Sequence, residues 1–310
     1  MEKMISIVIP AYNEQEVLRE LYDQLIETFN NLPMTFEVLL VNDGSSDMTP
    51  MLINQISALD PSWKAIHLAR RFGQQAAISA GMSYAKGDAV ILMDADLQDC
   101  PGHISQFIQK WQEGNDVVYA IRRRRKEGII KKVLYKTFYF ILSSVSEIPF
   151  PKDVGDFSLM DRKVVNAILS LPEKTRFIRG LRAWVGFKQV GIELERQARF
   201  KGGAKHNFKS LMNLALNGIF SYSWVPLRLI LGLGLLSVFI SVPYLIYILY
   251  FKLTGRNPIL GWTTIVFIQL ALGGLQLLSL GVIGEYLGRT FLETKNRPIY
   301  IVSSLVGIDS

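Results

Sequence analysis

Two aspartates and a glutamine follow an apolar run in the first third of the chain. The run Ala89–Met93 precedes the segment Asp94-Ala95-Asp96-Leu97-Gln98. Carboxylates at the carboxyl end of a strand stand where ligands bind in open α/β sheets, and their hard oxygens suit Mg²⁺ or Mn²⁺ bridging to a diphosphate. An Asp-x-Asp pair also occurs by chance, in which case its aspartates would only cap the next helix. The segment is a candidate metal and diphosphate site, with a solvated loop as the alternative.

Polar and aromatic side chains also follow the first two predicted strands. Ile9-Pro10-Ala11-Tyr12-Asn13-Glu14 ends the first strand, and Val41-Asn42-Asp43-Gly44-Ser45-Ser46-Asp47 ends the second. Asp43 can accept a hydrogen bond from a pyrimidine N–H, Tyr12 can pack on the base, and Glu14 can hold a ribose hydroxyl. The alternative is helix capping and a turn. These residues predict a nucleotide site on the same sheet edge as the aspartates.

Short β-rich runs alternate with helical patterns in the first 120 residues, which predicts an α/β unit with a largely parallel sheet. Apolar residues recur at helical spacing from Val17 to Phe29 and predict a crossover helix between the first two strands. The predicted strands are Ile5–Pro10, Phe36–Val41, Lys64–Leu68, Ala89–Met93 and Asp116–Ala120.

Hydrophobic residues make up 49% of the chain, and the excess lies after Pro226. Pro226–Phe251 and Trp262–Leu287 each reach the roughly 20 apolar residues that a bilayer core requires. The short link between them predicts a two-helix hairpin with both chain ends on one side. Lys and Arg are concentrated outside the hairpin, and the link holds only Lys252 and Arg256. The positive-inside bias therefore predicts an integral membrane protein whose catalytic domain is cytoplasmic.

The net charge of +7 suits nucleic acid, anionic lipid or an anionic small substrate. No nucleic-acid motif is recognisable and the charge gathers near the apolar segments, so nucleic-acid binding is not predicted. The single cysteine, Cys100, excludes an intrachain disulfide, and the three histidines have no zinc-ligand spacing.

Basic segments precede the hairpin. Phe208–Trp224 mixes basic and apolar residues and predicts a helix lying in the membrane interface, whereas Lys126–Glu147 fits an interfacial helix and an ordinary domain helix about equally. Arg199-Phe200-Lys201-Gly202-Gly203-Ala204-Lys205 predicts a flexible basic loop, in which glycine permits close backbone approach and Arg and Lys contact phosphate.

Several different short motifs follow one another along the chain. They are Ile7-Val8-Ile9-Pro10-Ala11-Tyr12-Asn13-Glu14, Val41-Asn42-Asp43-Gly44-Ser45-Ser46-Asp47, Arg71-Phe72-Gly73, Gly81, Gly87-Asp88, Asp94-Ala95-Asp96-Leu97-Gln98-Asp99, Gly155-Asp156-Phe157 and the two apolar segments. In this order and spacing the chain resembles, over nearly its whole length, the family-2, GT-A-fold polyprenyl-phosphate glycosyltransferases. That branch contains dolichyl-phosphate mannose synthases and bacterial undecaprenyl-phosphate glucosyltransferases.

The resemblance implies a role for each matching residue. The nucleotide-sugar would be bound by Pro10, Tyr12, Glu14, Asp43 and Asp94. The metal, Mg²⁺ or Mn²⁺, would be held by Asp96 and Gln98 with Asp94 close to the sugar and diphosphate. Asp94 and Asp156 would be the catalytic carboxylates, Asp156 lying near the acceptor; an aspartate in a turn before a strand is its alternative reading.

An anionic acceptor that attacks beside an anionic donor requires compensating positive charge. The basic residues that the sequence offers for this purpose are Arg122, Arg123, Arg199 and Lys205. A solvated or lipid-facing surface is the alternative reading for these charges.

The resemblance implies a GT-A fold, Rossmann-like with a mostly parallel sheet, followed by an interfacial amphipathic helix and the transmembrane hairpin. The expected boundaries are a cytoplasmic catalytic domain at 1–205, an interfacial helix at 206–225, a hairpin at 226–288 and a cytoplasmic tail at 289–310. Glycines of the second span, among them Gly284 and Gly288, predict close helix packing and a homo-oligomer.

The implied activity is inverting transfer of a hexose, with glucose favoured, from a UDP-sugar to polyprenyl (undecaprenyl) phosphate. One alternative is a processive polysaccharide synthase, whose Gln-x-x-Arg-Trp motif is approached only by Arg182-Ala183-Trp184. A non-catalytic nucleotide-binding membrane adaptor is the other, and the intact acidic motif argues against it.

Overall fold

The computed structural model of the chain describes residues 3–122, 154–174, 176–194, 225–254 and 261–308. These residues fall into two compact units. The first is an α/β unit that contains the described residues up to Leu194 and those from Arg297 onward. The second is a helical unit that contains the described residues between 225 and 296.

The α/β unit is built on a sheet of eight strands in the order β7-β5-β6-β4-β1-β2-β3-β8. The strands are β1 (Met4–Ala11), β2 (Thr35–Asn42), β3 (Trp63–Leu68), β4 (Ala89–Leu92), β5 (Val117–Arg122), β6 (Val154–Asp161), β7 (Gln189–Leu194) and β8 (Val302–Val306). The central strands β3, β2, β1 and β4 are mutually parallel, whereas β6 and β8 pair antiparallel to their neighbours. The sheet is therefore mixed and mostly parallel, as predicted, and all five predicted strands are confirmed.

Three strands lie outside the sequence prediction, and two of them, β7 and β8, form the edges of the sheet. β6 lies between β4 and β5, β7 pairs parallel with β5, and β8 pairs antiparallel with β3. β8 comes from the C-terminal tail, after the helical unit in the chain. The tail thus supplies the edge strand of a sheet that the first residues of the chain begin.

Helices cover both faces of the sheet. In the α/β unit they are α1 (Leu18–Asn30), α2 (Thr49–Leu59), α3 (Gln74–Tyr84), α4 (Ile104–Gln112), α5 (Arg162–Ser170) and α6 (Ile178–Trp184). Alternate residues of β1 enter opposite cores: Ile7 packs in the cluster that includes α1 and α4 residues, and Val8 packs in the cluster that includes α3 residues. Burial on both faces explains why the central strands are continuously apolar.

α3 lies directly against the centre of the sheet because Gly81 has no side chain. A Cβ placed on Gly81 would overlap Cγ1 of Val8 and would lie 3.1 Å from Cγ2 of Val41. Both valines are fully buried and β-branched, so neither can rotate out of the way easily. The distance between α3 and strands β1 and β2 therefore depends on this glycine.

A buried carboxylate closes the opposite, amino-terminal end of the central strands. Glu37 accepts hydrogen bonds from Ser6 Oγ at 2.5 Å and from the backbone N–H groups of Lys86 and Gly87 at 2.5 and 3.2 Å, and it pairs with Lys64. Burial by itself raises the pKa of Glu37, but these hydrogen bonds and the Lys64 charge outweigh it and hold the pKa below its ordinary value. The ionised carboxylate thus joins β1, β2 and the loop before β4.

The helical unit contains two long helices, α7 (Val225–Leu253) and α8 (Trp262–Thr294). They coincide with the two predicted apolar segments. Among the described helices, one is long and apolar enough to cross a membrane by length and composition: α7, through its window Leu227–Tyr244 of mean hydropathy 1.8. The described structure therefore supplies one candidate span, and the two-span hairpin remains a prediction.

Replacing Gly81 by alanine is expected to destabilise the α/β unit. Overpacking a buried site costs about 1–3 kcal/mol, which exceeds the gain of about 1 kcal/mol that alanine brings to a helix interior. The thermal unfolding midpoint of the full chain in detergent should fall for Gly81→Ala and stay unchanged for Gly102→Ala, where the nearest atom to a new Cβ is Cys100 Sγ at 3.6 Å. In a Val8→Ala background Gly81→Ala should no longer destabilise, and persistence of the full effect there would contradict the proposed overlap.

Replacing Glu37 by glutamine is expected to make stability depend less on pH. Since the folded-state pKa is lowered, the ionised carboxylate stabilises the fold above its unfolded pKa of about 4.3, and this contribution is lost as the pH falls through the lower folded value. At pH 7 Glu37→Gln should cost about 1–3 kcal/mol, seen as a lower thermal midpoint, and the difference from the wild type should shrink below about pH 4. Glu27→Gln, on the exposed side of α1, is the control and should show neither effect.

Candidate active site

The candidate residues meet at the carboxyl edge of the central strands. β1 lies between β2 and β4 in parallel register, with Ala11 opposite Asn42 and Val8 opposite Leu92. The chain segments that follow β1, β2 and β4 therefore leave the sheet at the same edge. Pro10, Tyr12, Asp43 and Asp94 stand at or just beyond these strand ends, as the sequence predicted.

The acidic loop after β4 is held in an uncommon backbone conformation. Leu97 has φ 57°, a left-handed conformation that L-residues with a side chain rarely adopt, and its side chain is buried in the core. Burial of Leu97 offsets the backbone strain and anchors the loop between Asp96 and Gln98. Asp96 is itself buried and accepts a hydrogen bond from the backbone N–H of Gln98 at 3.2 Å.

Asp94 follows β4, Asp156 lies in the neighbouring strand β6, and one side chain bridges the two. Asp156 lies in β6, which pairs with β4 through Leu92 and Ser158. Gln74, the first residue of α3, donates from Nε2 to Asp94 Oδ1 at 2.8 Å and to Asp156 Oδ2 at 3.4 Å. Asp156 is therefore a buried strand residue at the site, and not an aspartate in a turn.

An arginine on α6 binds Asp156 from the other side. Arg179 donates from Nε to Asp156 Oδ1 at 2.6 Å and from Nη2 to Asp156 Oδ2 at 2.8 Å, while Nη1 donates to the Val154 carbonyl at 3.3 Å. This two-point pairing of a guanidinium with a carboxylate fixes both the position and the plane of the carboxylate.

Asp94 lies near other carboxylates. Burial, followed by the charges of Asp156, Asp99 and Asp96, raises the pKa of Asp94 to about 7, and the charge of Arg179 opposes this rise only in part. Among the described residues, the repulsion that Asp94 meets therefore exceeds its attraction to Arg179.

Asp43 is tied to the loop that leads into α3. Its carboxylate accepts hydrogen bonds from the backbone N–H of Phe72 at 2.7 Å and of Gly73 at 2.9 Å. Burial raises the pKa of Asp43, and these hydrogen bonds and the charge of Arg71 counteract part of the rise. The next residue, Gly44, has φ 64°, and a Cβ there would lie 2.5 Å from the Arg71 nitrogen, so the two loops touch backbone to backbone.

The loop after β1 packs on the same two segments. The guanidinium of Arg71 lies 4.1 Å from the centre of the Tyr12 ring. Asn13 joins the turn after β2 through a hydrogen bond from its backbone N–H to Ser45 Oγ, and the Glu14 backbone N–H donates to Thr49 Oγ1 at 2.9 Å. Tyr12 and Glu14 are half-buried.

The structure describes one of the four basic residues that the sequence suggested for the acceptor. Arg122 is the last residue of β5, whereas Arg123, Arg199 and Lys205 lie outside the described residues. The structure adds Arg179 and Arg182. Arg182 is 3% exposed, with its guanidinium 5.2 Å from the Tyr119 ring centre, and burial lowers its pKa to about 10, so it is still a cation at neutral pH.

Sequence reasoning missed Gln74, Arg179 and Arg182 as site residues. Gln74 carried a usable signal, because it directly follows the Arg71-Phe72-Gly73 motif and begins a helix at the carboxyl end of β3. The arginines carried almost none, because a basic residue in a short amphipathic helix is ordinarily a solvated one.

The donor chemistry at this edge fits a divalent cation shared with a substrate. Asp94 and Asp96 offer carboxylate oxygens and Gln98 an amide oxygen. Within the described parts of the chain, no three His, Cys, Asp or Glu side chains converge as a complete protein-only metal site. Mg²⁺ commonly takes one or two carboxylates and completes its shell with substrate phosphates and water, so the residues present suit a metal that arrives with a diphosphate.

Comparison with known proteins agrees with this geometry. The profile of the family described as Glycosyl transferase family 2 matches residues 6–169. An uncharacterized glycosyltransferase of Synechocystis sp. is 45% identical over 306 residues, which cover 98% of this chain and 96% of that protein. The uncharacterized glycosyltransferase YkcC of Bacillus subtilis is also 45% identical, over 98% of this chain and 95% of that protein. The bactoprenol glucosyl transferase of Shigella phage SfII is 40% identical over 96% of this chain and 97% of its own length. With carboxylates at the carboxyl edge of a mostly parallel sheet and similarity over nearly its full length, the chain belongs to glycosyl transferase family 2 and is a glycosyltransferase.

Proposed function

We propose that this glycosyltransferase transfers a hexose from a UDP-sugar to a polyprenyl phosphate. The observation that carries the proposal is the meeting of Asp43, Asp94, Asp96 and Asp156 at one edge of the sheet. Asp43 stands at the end of β2, Asp94 and Asp96 follow β4, and Asp156 lies beside them in β6. Such an arrangement separates a place for the nucleotide from a place for the acceptor, with the donor sugar between them.

The nucleotide would bind between the ends of β1 and β2. Pro10 and Tyr12 offer an apolar surface for the base, Glu14 an acceptor for a ribose hydroxyl, and Asp43 an acceptor for a pyrimidine N–H. Three of Asp43's acceptor positions are taken, because Oδ1 accepts from the Phe72 and Gly73 N–H groups and Oδ2 also accepts from the Gly73 N–H. A carboxylate has about four such positions, so one hydrogen bond to the base remains available.

Asp96 and Gln98, with Asp94 beside them, would hold Mg²⁺ or Mn²⁺ against the diphosphate. When bound, the cation would neutralise the charge that develops on the departing nucleoside diphosphate. The position of Asp94, Asp96 and Gln98 in one short segment directly after β4 supports this assignment.

The acceptor would approach from the Asp156 side. A phosphate monoester has a second pKa of about 6, so it is largely dianionic at neutral pH and needs no general base to become a nucleophile. Its oxygen would attack the anomeric carbon from the face opposite the diphosphate, which inverts the configuration. Arg122, Arg123, Arg199 and Lys205 are the residues proposed to compensate the acceptor charge.

The identity of the acceptor and the sugar is inferred from relatives. The phage relative is named a bactoprenol glucosyl transferase, and a prophage protein of Escherichia coli is named a homologue of that enzyme. The phage protein's identity of 40% over 96% of this chain supports the same type of acceptor here, a polyprenyl phosphate such as undecaprenyl phosphate. Glucose is the proposed sugar and UDP-glucose the proposed donor.

The membrane arrangement is proposed to be a hairpin of two spans, 226–251 and 262–287, preceded by an interfacial helix at 206–225. The catalytic domain, residues 1–205, and the tail, 289–310, would lie on the cytoplasmic side, and the second span would support a homo-oligomer. β8 follows α8 in the chain and pairs with β3 of the catalytic sheet. Since one sheet cannot have strands on both sides of a bilayer, this pairing supports an even number of crossings between β7 and β8, as the hairpin has.

Substitution of Asp96 by asparagine is expected to lower transfer at least about 100-fold, because a neutral amide weakens the grip on a cation that the diphosphate needs. The purified full chain is incubated with labelled UDP- and GDP-sugars, polyprenyl phosphate and Mg²⁺ or Mn²⁺, and the label extracted into chloroform is counted. EDTA should abolish transfer and added metal should restore it.

Asp23→Asn, on the exposed side of α1, is the matched control and should keep full activity. Full activity of Asp96→Asn would refute the metal assignment. Label that enters a soluble glycan and not the lipid extract would instead favour a polysaccharide synthase.

Single cysteines are expected to report the two-span arrangement. In a Cys100→Ser background, Asn257→Cys in the link should react with a membrane-impermeant maleimide in intact cells. Glu113→Cys after α4 and Ser304→Cys in β8 are both exposed on the α/β unit and should react only after the cells are permeabilised. Labelling of Ser304→Cys in intact cells would show an odd number of crossings and contradict the hairpin.

A further inference from the structure

The first two residues of α3 and the glycine before them form hydrogen bonds with residues on several sides of the candidate site. The Gly73 N–H donates to Asp43 at 2.9 Å, and the Gln74 amide donates to Asp94 and Asp156. The Gln75 side-chain oxygen accepts from the Ile178 N–H, at the start of α6, at 2.8 Å. Three consecutive residues thus join the nucleotide side, the donor carboxylate, the acceptor carboxylate and the helix that carries Arg179.

Asp94 and Asp156 need such a connection because they repel each other. Nε2 of Gln74 lies 2.8 Å from an oxygen of Asp94 and 3.4 Å from an oxygen of Asp156, so the two carboxylates are close enough to repel each other. Asp94 follows β4 and Asp156 lies in β6, and the pairing of these strands does not set the distance between the two side chains. A side chain that donates to an oxygen of each carboxylate offsets this repulsion and holds the two carboxylates at a fixed distance.

Gln74 has the right chemistry for this role. Its Nε2 has two N–H groups, and one is directed to each carboxylate. The side chain is exposed, so its hydrogen bonds contribute little to the stability of the core. Arg179 acts on the same carboxylate from α6, with two nearly parallel hydrogen bonds that fix its orientation.

We propose that Gln74 and Arg179 are positioning residues that hold Asp94 and Asp156 at one spacing before substrates bind. This inference rests on the proposed function, in which Asp94 serves the donor and Asp156 the acceptor. The gap between the two carboxylates is then the place where the acceptor oxygen meets the anomeric carbon. The residues act on the transfer step and leave nucleotide affinity unchanged.

The test compares the transfer step with nucleotide binding in two variants. Gln74→Leu keeps the approximate size of the side chain and removes both hydrogen bonds, and Arg179→Lys keeps the charge and removes the two-point contact. Misplacement of a reacting group by about 1 Å costs on the order of 100-fold in rate, so kcat for transfer to polyprenyl phosphate should fall about 10- to 100-fold in each variant. The Kd for UDP in the presence of Mn²⁺, measured by calorimetry, should change less than about twofold.

The chain offers a matched control for each variant. Gln24 also donates from Nε2 to a carboxylate, Glu20 Oε1 at 2.7 Å, but it lies on α1 away from the strand ends. Arg176 lies three residues before Arg179 and its hydrogen bonds go to backbone carbonyls, including that of Leu171 at 2.9 Å. Gln24→Leu and Arg176→Lys should keep kcat within about twofold even if Arg176→Lys lowers the thermal midpoint.

The double variant Gln74→Leu/Arg179→Lys tests whether the two residues act on one pair of carboxylates. If they do, its loss in kcat should be clearly smaller than the product of the two single losses. Independent, multiplicative losses would show that the residues do not share this role.

The inference is wrong if either folded single variant keeps kcat within about twofold, or if kcat and the UDP Kd worsen by similar factors. Because Gln74 is exposed, Gln74→Leu is expected to fold, and its kcat decides the question even if Arg179→Lys does not fold. Failure of the proposed function is visible separately, as absence of lipid transfer by the wild-type protein. In that case the same kcat comparison on the acceptor that the wild type does use decides the positioning role.

Discussion

Repulsion between carboxylates at the carboxyl edge of the sheet is the constraint on which the rest of the site depends. Burial and the charges of three neighbouring aspartates raise the pKa of Asp94 to about 7. A folded chain can keep such a cluster only if donors and positive charges are fixed beside it. Gln74 and Arg179 supply fixed donors to Asp94 and Asp156.

The position of Gln74 at the carboxylates depends on how α3 packs in the core. The helix presents Gln74 to the carboxylates at its first residue, and seven residues later Gly81 lets it lie against Val8 and Val41. A side chain at residue 81 would push the helix away from the sheet and displace Gln74 with it. The packing at the centre of the sheet and the geometry at its edge are therefore coupled, which explains why a buried glycine matters to a site that it does not touch.

The C-terminal strand changes how the two units are connected in the chain. The helical unit is inserted into the α/β unit, because β8 returns to pair with β3 after α8. Ser303 stabilises the pairing of β8 with β3, because its Oγ donates a hydrogen bond to the His67 carbonyl at 3.0 Å. Loss of the tail would leave the edge of β3 unpaired, so the last residues belong to the architecture of the α/β unit.

The local pattern of the sequence was sufficient to predict the central strands, the first crossover helix and the acidic loop after β4. These features depend on apolar periodicity and on residue types at strand ends, which neighbouring residues determine. The edge strand from Val302 to Val306 could not be predicted in the same way, because a short edge strand is set by the partner it meets and not by its own pattern. Asp156, which the sequence also allowed in a turn, is within β6, an interior strand that pairs with β4 and β5.

What the sequence alone determined is therefore the set of chemical groups: carboxylates for a cation and a diphosphate, and polar and aromatic groups for a nucleotide. Tertiary structure alone decided how these groups are held, through Gln74 between Asp94 and Asp156 and through Arg179 on Asp156. Gln74 and Asp156 are 82 residues apart in the chain, and Arg179 follows Asp156 by 23. Contacts over such separations depend on the order of strands in the sheet and on how α3 and α6 pack against it. No local sequence pattern encodes the strand order or this packing.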